Sequence, residues 1–156
     1  MAIAYTVEQY LNLHHVPYQV VSHPRAVTSL KTAEAANIRP DLLAKAVLLE
    51  DEQGYVVAVL PATHHIKLNM LRRQMGRNIR MASEDEIAEL FTDCEIGAIP
   101  ALGPAYGIET VWDESLVGQS GIYFEAGDHE ELIRVSADGF VDMLGTARHG
   151  HFTREM

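Results

Sequence analysis

Three places in this chain carry residue types suited to holding an anion or a carbonyl oxygen. The stretch Cys94 to Gly103, CEIGAIPALG, is almost uncharged and contains Gly97, Pro100 and Gly103. Glycine can take φ > 0 or let a ligand approach the main chain, while proline fixes φ and removes a donor. A loop built this way can turn successive N–H groups toward one phosphate or carbonyl oxygen. The plainer reading is a connection between a helix and a strand. Lys45 opens an apolar strand, where its ammonium offers a fixed positive charge to an anion or, on the plainer reading, snorkels from a strand edge into water. His129, in GDHEEL, stands between apolar strands with Asp128 and Glu130 beside it. That setting suits a pocket histidine or a mobile, solvated acidic turn. Cys94 reads as a small buried hydrophobe at a helix end.

A fourth feature concerns charge. The formal net charge is −10, which argues against a polyanionic partner until its distribution is considered. Between Lys67 and Arg80, KLNMLRRQMGRNIR, five of the twelve basic residues fall within fourteen positions with no acid among them. Lys67, Arg72, Arg73 and Arg77 would form a docking patch for a polyanion on an acidic body, or a helix face that only solvates.

These residues need elements to position them. Thr6 followed by Gln9 has the capping-box spacing and predicts a helix to about His14. VPYQVV, from Val16, predicts a strand that Pro17 confines to an edge. A second helix runs from Ser29 to about Asn37, capped by Thr28 or Ser29, and Pro40 starts a brief helix over PDLLAK. Ala46–Leu49 and Tyr55–Leu60 predict two strands joined by a hairpin turn at DEQG. A helix from about Ile66 to Met75 carries the basic residues and stops at Gly76, followed by a short strand over Asn78–Met81. Ser83 with Glu86 is a second capping box, opening a helix to about Phe91. Strands follow at Thr110–Trp112, Gly121–Glu125 and Leu132–Val135, and Ser136 caps a last helix to about Ala147. The order of elements predicts a single α+β domain with a curved, mixed sheet. The tail RHGHFTREM is too polar for a core and is expected to fray.

A chain of 156 residues fits one domain, and its 47% hydrophobic content is that of an ordinary globular protein. No apolar run reaches the ~20 residues of a membrane helix, and MAIAYTVEQY lacks the pattern of a signal peptide. A cytoplasmic location is expected. The lone Cys94 agrees with a reducing compartment.

Lys45 on its apolar strand, the strand end Val59-Leu60-Pro61, the helix after it, the CEIGAIPALG loop, FEAGDHEELI and the capped final helix together resemble the YbaK/ProX family of aminoacyl-tRNA deacylases. These are relatives of the editing insertion of bacterial prolyl-tRNA synthetase. The likeness runs from about Thr6 to Leu144. It implies a barrel-like mixed sheet surrounded by helices and an enzyme that hydrolyses the ester joining a wrong amino acid to the 3′ end of a tRNA. By that resemblance Lys45 is the essential residue, Gly97 lines the pocket, and His129 shapes it. Ile99, Pro100 and Gly103 come with the loop as substrate-binding candidates. Thr28 and His23 match rim positions weakly, and for Thr28 a plain N-cap role competes. The position after the lysine, which varies between substrate classes, holds Ala46 here, so a polar contact made by some relatives is missing. A misacylated tRNA is the implied partner, with the enzyme acting alone or docked on an aminoacyl-tRNA synthetase. No cofactor, DNA or membrane partner is expected.

An aminoacyl ester is already activated, so its hydrolysis needs a positioned water or vicinal hydroxyl and a stabilised oxyanion. Amides near Gly97 would supply the second, and Lys45 would hold a terminal phosphate or the developing anion. No serine stands in a nucleophile setting, so water attack assisted by the substrate is expected. Small cargo such as alanine, serine or cysteine suits a pocket lined by residues like Val47, Ile99 and Leu102. Two rival readings differ in class. One is a metal hydrolase using His14-His15, His64-His65, His149 and His151, against which adjacent histidines on a helix diverge by about 100°. The other is a tRNA- or nucleotide-binding module without chemistry, against which the retained Lys45 weighs.

Overall fold

The two longest apolar runs meet as an antiparallel hairpin at the centre of the computed structural model, which describes residues 3–156. Strand β2 (Leu43–Asp51) pairs with β3 (Gly54–Pro61), with Asp51 opposite Gly54. The Asp51 carboxylate accepts from the Gln53 and Gly54 N–H groups, and Gly54 takes φ 136°, so the turn is closed by its own residues. Side chains alternate along both strands. Leu48, Val57 and Val59 join the larger core, with Val7, Leu11, Phe124, Ile133 and Phe140. Leu49, Val56 and Ala58 join a second core with Leu71, Ile79, Val111 and Phe152.

Around this hairpin lie helix α1 (Tyr5–Leu13), β1 (Gln19–Ser22), α2 (Ser29–Ala35), β4 (His64–Ile66), α3 (Leu68–Met75), β5 (Arg80–Met81) and α4 (Glu84–Leu90). Then follow β6 (Glu109–Asp113), β7 (Gly121–Glu125), β8 (Glu131–Ser136), α5 (Ala137–Leu144), β9 (Arg148–Gly150) and β10 (Thr153–Glu155). The main sheet runs β1-β8-β7-β2-β3-β6-β9, with β5 added against β2. β2–β7, β3–β6 and β6–β9 are parallel and the other pairs antiparallel, so the sheet is mixed, as the α+β reading expected. It is an open sheet, not a closed barrel: β1 lies at one end of its strand order and β9 at the other.

Local capping signals act as predicted at three helices. Thr28 Oγ1 accepts from Lys31 N–H, Ser83 and Glu86 form a complete capping box, and Ser136 accepts from Gly139 N–H. Gly76 ends α3 in the left-handed conformation. Thr6 does not cap α1. The N-cap is Ala4, and the Thr6 N–H donates to Asp93 Oδ2, 87 residues away, so a remote carboxylate satisfies that helix end. The PDLLAK helix is only a 3-10 turn, Pro40–Leu42, and β2 starts directly after it. Lys45 is therefore the third residue of its strand.

The C-terminal residues are part of the fold. β9 extends the main sheet beside β6, and β10 pairs with β4. Between them Phe152 is fully buried, its N–H donating to the buried Asp113 carboxylate. Strand pairing at β9 and β10 and one buried aromatic between them hold a tail whose composition is polar.

Candidate active site

Three strands compete for β2, and their competition leaves an opening. β3 covers one edge of β2 from Ala44 to Asp51. The other edge is shared: β7 pairs only at Leu43 and Ala44, and β5 only at Leu49 and Glu50. Between them Lys45, Ala46, Val47 and Leu48 border a break in the sheet, and a cavity of about 230 Å³ fills it. Its wall is completed by Met81 and Ala82, Ile87 of α4, Ser29 of α2, Gly97, Ile99 and Glu125. The Leu43 carbonyl accepts from Ala62 on the β3 side, and the Leu48 carbonyl accepts from Ala82 on the β5 side. Main-chain groups alternate sides along a strand, so the N–H and C=O of Ala46 face the break.

Lys45 is half-buried and, among the described residues, its side chain forms no hydrogen bond or ion pair. Burial lowers the pKa of its ammonium, so a ligand that restores a counter-charge is favoured. Across the break stands Glu125, at the end of β7 and 4% exposed. Its Oε2 lies 3.5 Å from Thr32 Oγ1 and its Oε1 has no partner. Burial first, and the neighbouring Asp128 charge in addition, push this carboxyl up to about 7, against the Thr32 contact, which lowers it.

Gly97 enters the wall through a β-turn. The Ala98 N–H donates to the Glu95 carbonyl, and Gly97 takes φ 87° at the third turn position, which asks for glycine in a type II turn. His129 sits behind this turn, 3% exposed, with Nδ1 3.1 Å from the Ala26 carbonyl and Nε2 2.8 Å from the Ile96 carbonyl. It is buried, not solvated, and it takes the left-handed φ of 64°. Because the Ile96 carbonyl points at His129, the N–H of the same trans peptide, that of Gly97, points the opposite way. Outside the turn, Arg25 pairs with Glu95 at 2.7 Å and ties the segment before α2 to the same loop. Cys94, packed beside Tyr106 and Asp93, has its thiol pushed up to about 12 by burial, which makes it inert.

The structure therefore brings Lys45, Ala46, Gly97 and Ile99 to one cavity, with His129 directly behind it. Val47, also expected to line a pocket, does so. Pro100 and Leu102 are buried away from the cavity wall. Gly103 is packed against Thr110 and Ile108, where an added Cβ would collide with Thr110 Oγ1, so its role is close packing. Thr28 is the exposed N-cap of α2, and its neighbour Ser29 is the one at the cavity. Glu125 had no signal in the sequence, since FEAG reads as a strand end and only the β2–β7 register brings it to the cavity that Lys45 lines.

The basic segment is divided. Arg77 is held between Asp51 and Glu109, at 2.8 and 2.7 Å, so its guanidinium is already used. Arg80 lies near Glu50 and Glu52, and Arg72 donates to the Ile79 carbonyl and to Asn69. Lys67, Arg72 and Arg73 remain along a groove with Arg154, which β10 delivers from the tail. The histidine pairs are dispersed: His64 meets Thr153, while His149 and His151 lie beside Glu114. No helix among the described residues is long and apolar enough to cross a membrane.

The architecture is thus that of an α+β domain with a small, mostly apolar cavity set into a break in its sheet. The aminoacyl-tRNA editing domain pattern matches residues 23–143, and the chain belongs to that family. No curated protein sequence matches it. Among solved structures it is similar to a protein described as a candidate trans-editing enzyme for prolyl tRNA synthetase, at 22% identity and TM-score 0.81, covering 96% of this chain and 95% of that one. A scaffold protein used for epitope grafting by computational design aligns at 19% identity and TM-score 0.82, over 97% and 96% of the two chains. A protein described as a candidate for signal transduction, from Marinobacter aquaeolei VT8, aligns at 22% identity and TM-score 0.79, over 99% of this chain and 31% of its own.

Proposed function

We propose that this chain is an aminoacyl-tRNA hydrolase that removes a small, wrongly attached amino acid from the 3′ end of a tRNA. The observation that carries the reading is the half-buried Lys45, its side chain without a partner, at the wall of a small, mostly apolar cavity that Gly97 also lines. Family membership supplies the substrate class. The cavity, at about 230 Å³, lies below the ~300–1,000 Å³ of sites for drug-sized ligands, which favours a small amino-acid side chain.

In this reading Lys45 binds the terminal phosphate or the developing anion, and the Gly97 N–H donates to the oxyanion of the tetrahedral intermediate. His129 acts as a positioning residue, holding the Ile96–Gly97 peptide so that this N–H is set before substrate arrives. Water attacks the ester carbon, assisted by the vicinal hydroxyl of the terminal ribose. The 3′ oxygen leaves with a proton, giving free amino acid and intact tRNA. No acyl-enzyme forms. Lys67, Arg72, Arg73 and Arg154 form the tRNA-docking surface, and Arg77, paired with Asp51 and Glu109, is not part of it.

The test is deacylation of a panel of labelled misacylated tRNAs by the native protein and by Lys45→Ala. Release of one or a few amino acids, abolished in the variant, is the expected result. No release from any member, with tRNA still bound, would replace the reading by a non-catalytic binding module.

A further inference from the structure

Glu125 is used by nothing described so far. It is 4% exposed, yet its side chain has one contact at the limit of a hydrogen bond, Thr32 Oγ1 at 3.5 Å, and an Oε1 with no partner. Leaving a buried carboxyl in this condition costs stability, which a purely structural position would have lost to a hydrophobic or amide side chain. The carboxyl lines the same cavity as Lys45. The register Leu43–Tyr123 and Ala44–Phe124 brings Lys45 and Glu125 level where β2 and β7 part, and the two form no ion pair with each other. The other charged group near Glu125 is Asp128, of like sign. One wall of the cavity therefore lacks an anion and the other lacks a cation.

A ligand that satisfies both carries an anionic or electron-rich group and, a few bonds away, an ammonium. An aminoacyl ester of a terminal nucleotide has this pattern, with its α-ammonium on the carbon next to the ester carbonyl. We propose that Glu125 is the acceptor for the α-ammonium group of the substrate, so that the site takes esters of free α-amino acids and rejects those whose amine is acylated. This rests on the hydrolase reading above and adds a substrate class to it. The pair forms whether the shared proton arrives on the amine or on the carboxyl, so the buried, easily protonated state of Glu125 is no obstacle. A neutral N-acyl group brings no charge to the carboxyl and adds bulk to a cavity of about 230 Å³.

The experiment compares one small aminoacyl-tRNA with its N-acetylated form, for the native protein and for Glu125→Gln. Native protein is expected to prefer the free amine. In Glu125→Gln the ratio of kcat/KM values between the two substrates should fall by about tenfold to a hundredfold, mainly through KM, as for loss of one charge-assisted hydrogen bond. An unchanged ratio overturns the proposal, including the case in which both substrates lose kcat equally, since that would make Glu125 a general base instead. A parallel binding measurement uses adenosine carrying the amino acid in a non-hydrolysable 3′ amide, with and without N-acetylation. If native protein hydrolyses nothing, the hydrolase reading fails. The binding preference, and its loss in Glu125→Gln, then still decides the role of Glu125.

Discussion

The edge of the His129 ring fills the space that a side chain at position 97 would need. A Cβ built on Gly97 would lie 3.2 Å from His129 Cε1, and the φ of 87° at Gly97 disfavours any other residue independently. Glycine here permits a turn and a close approach together. Gly97→Ala should therefore lose about 1–3 kcal/mol of stability and about a hundredfold in kcat. His129→Asn, which tolerates the left-handed backbone, should lower kcat with little change in KM. The double variant should lose less kcat than the product of the two single losses, which a mutant cycle would read directly. Fully multiplicative losses would mean that the two residues act separately.

Lys45→Met separates catalysis from folding. It removes an unpaired, half-buried cation and keeps an unbranched apolar stem, so the melting temperature should hold or rise. Turnover should fall by about a hundredfold or more. A destabilised variant with normal turnover would assign Lys45 to the scaffold.

The arginines should sort by their partners. Charge reversal at Arg73 and Arg154 should weaken tRNA binding and reduce the slope of log affinity against log salt by about 1–2. Arg77→Met should leave that slope alone and lower the melting temperature instead, because it strands Asp51, whose carboxyl Arg77 holds down at about 2. Titrating binding in salt and melting each variant distinguishes the two groups.

Glu125 predicts a pH signature in stability. Its carboxyl titrates near 7 when folded against an ordinary 4.5. Between those values the folded protein keeps a proton that the unfolded chain has released. The stability this proton provides is therefore complete below about pH 4.5, declines as pH rises toward 7 and is level above. At about 1.4 kcal/mol per unit, the decline over that window is on the order of 3–4 kcal/mol. Glu125→Gln cannot titrate, so its advantage over native protein should grow across that window, as denaturant unfolding at several pH values would show. Parallel stability curves would contradict the burial argument.

Much of the scaffold was legible because its signals are local. Thr28, Ser83 with Glu86, and Ser136 reach only three residues along the chain, and the DEQG hairpin closes on itself. Lys45, Gly97 and His129 were found through motif order. What escaped depends on distant partners. Asp93 takes over the helix end that Thr6 was expected to cap, Asp51 and Glu109 withdraw Arg77 from the surface, and Phe152 draws Arg154 into the basic groove. Glu125 belongs to the same group, since the cavity it shares with the remote Lys45 exists only through the pairing of β2 with β7.

The break along β2 separates anchor from selector. At Ala46 the groups facing the cavity belong to the main chain, which no exchange other than to proline removes, while the side chains of Ala46, Val47 and Ile99 form replaceable parts of the wall. On the proposed reading Glu125 holds the amine that every amino acid carries, so exchanges at Ala46, Val47 and Ile99 would change which side chain fits while that grip stays intact. A library limited to residues 46, 47 and 99, read by which aminoacyl esters each variant hydrolyses, would test that division.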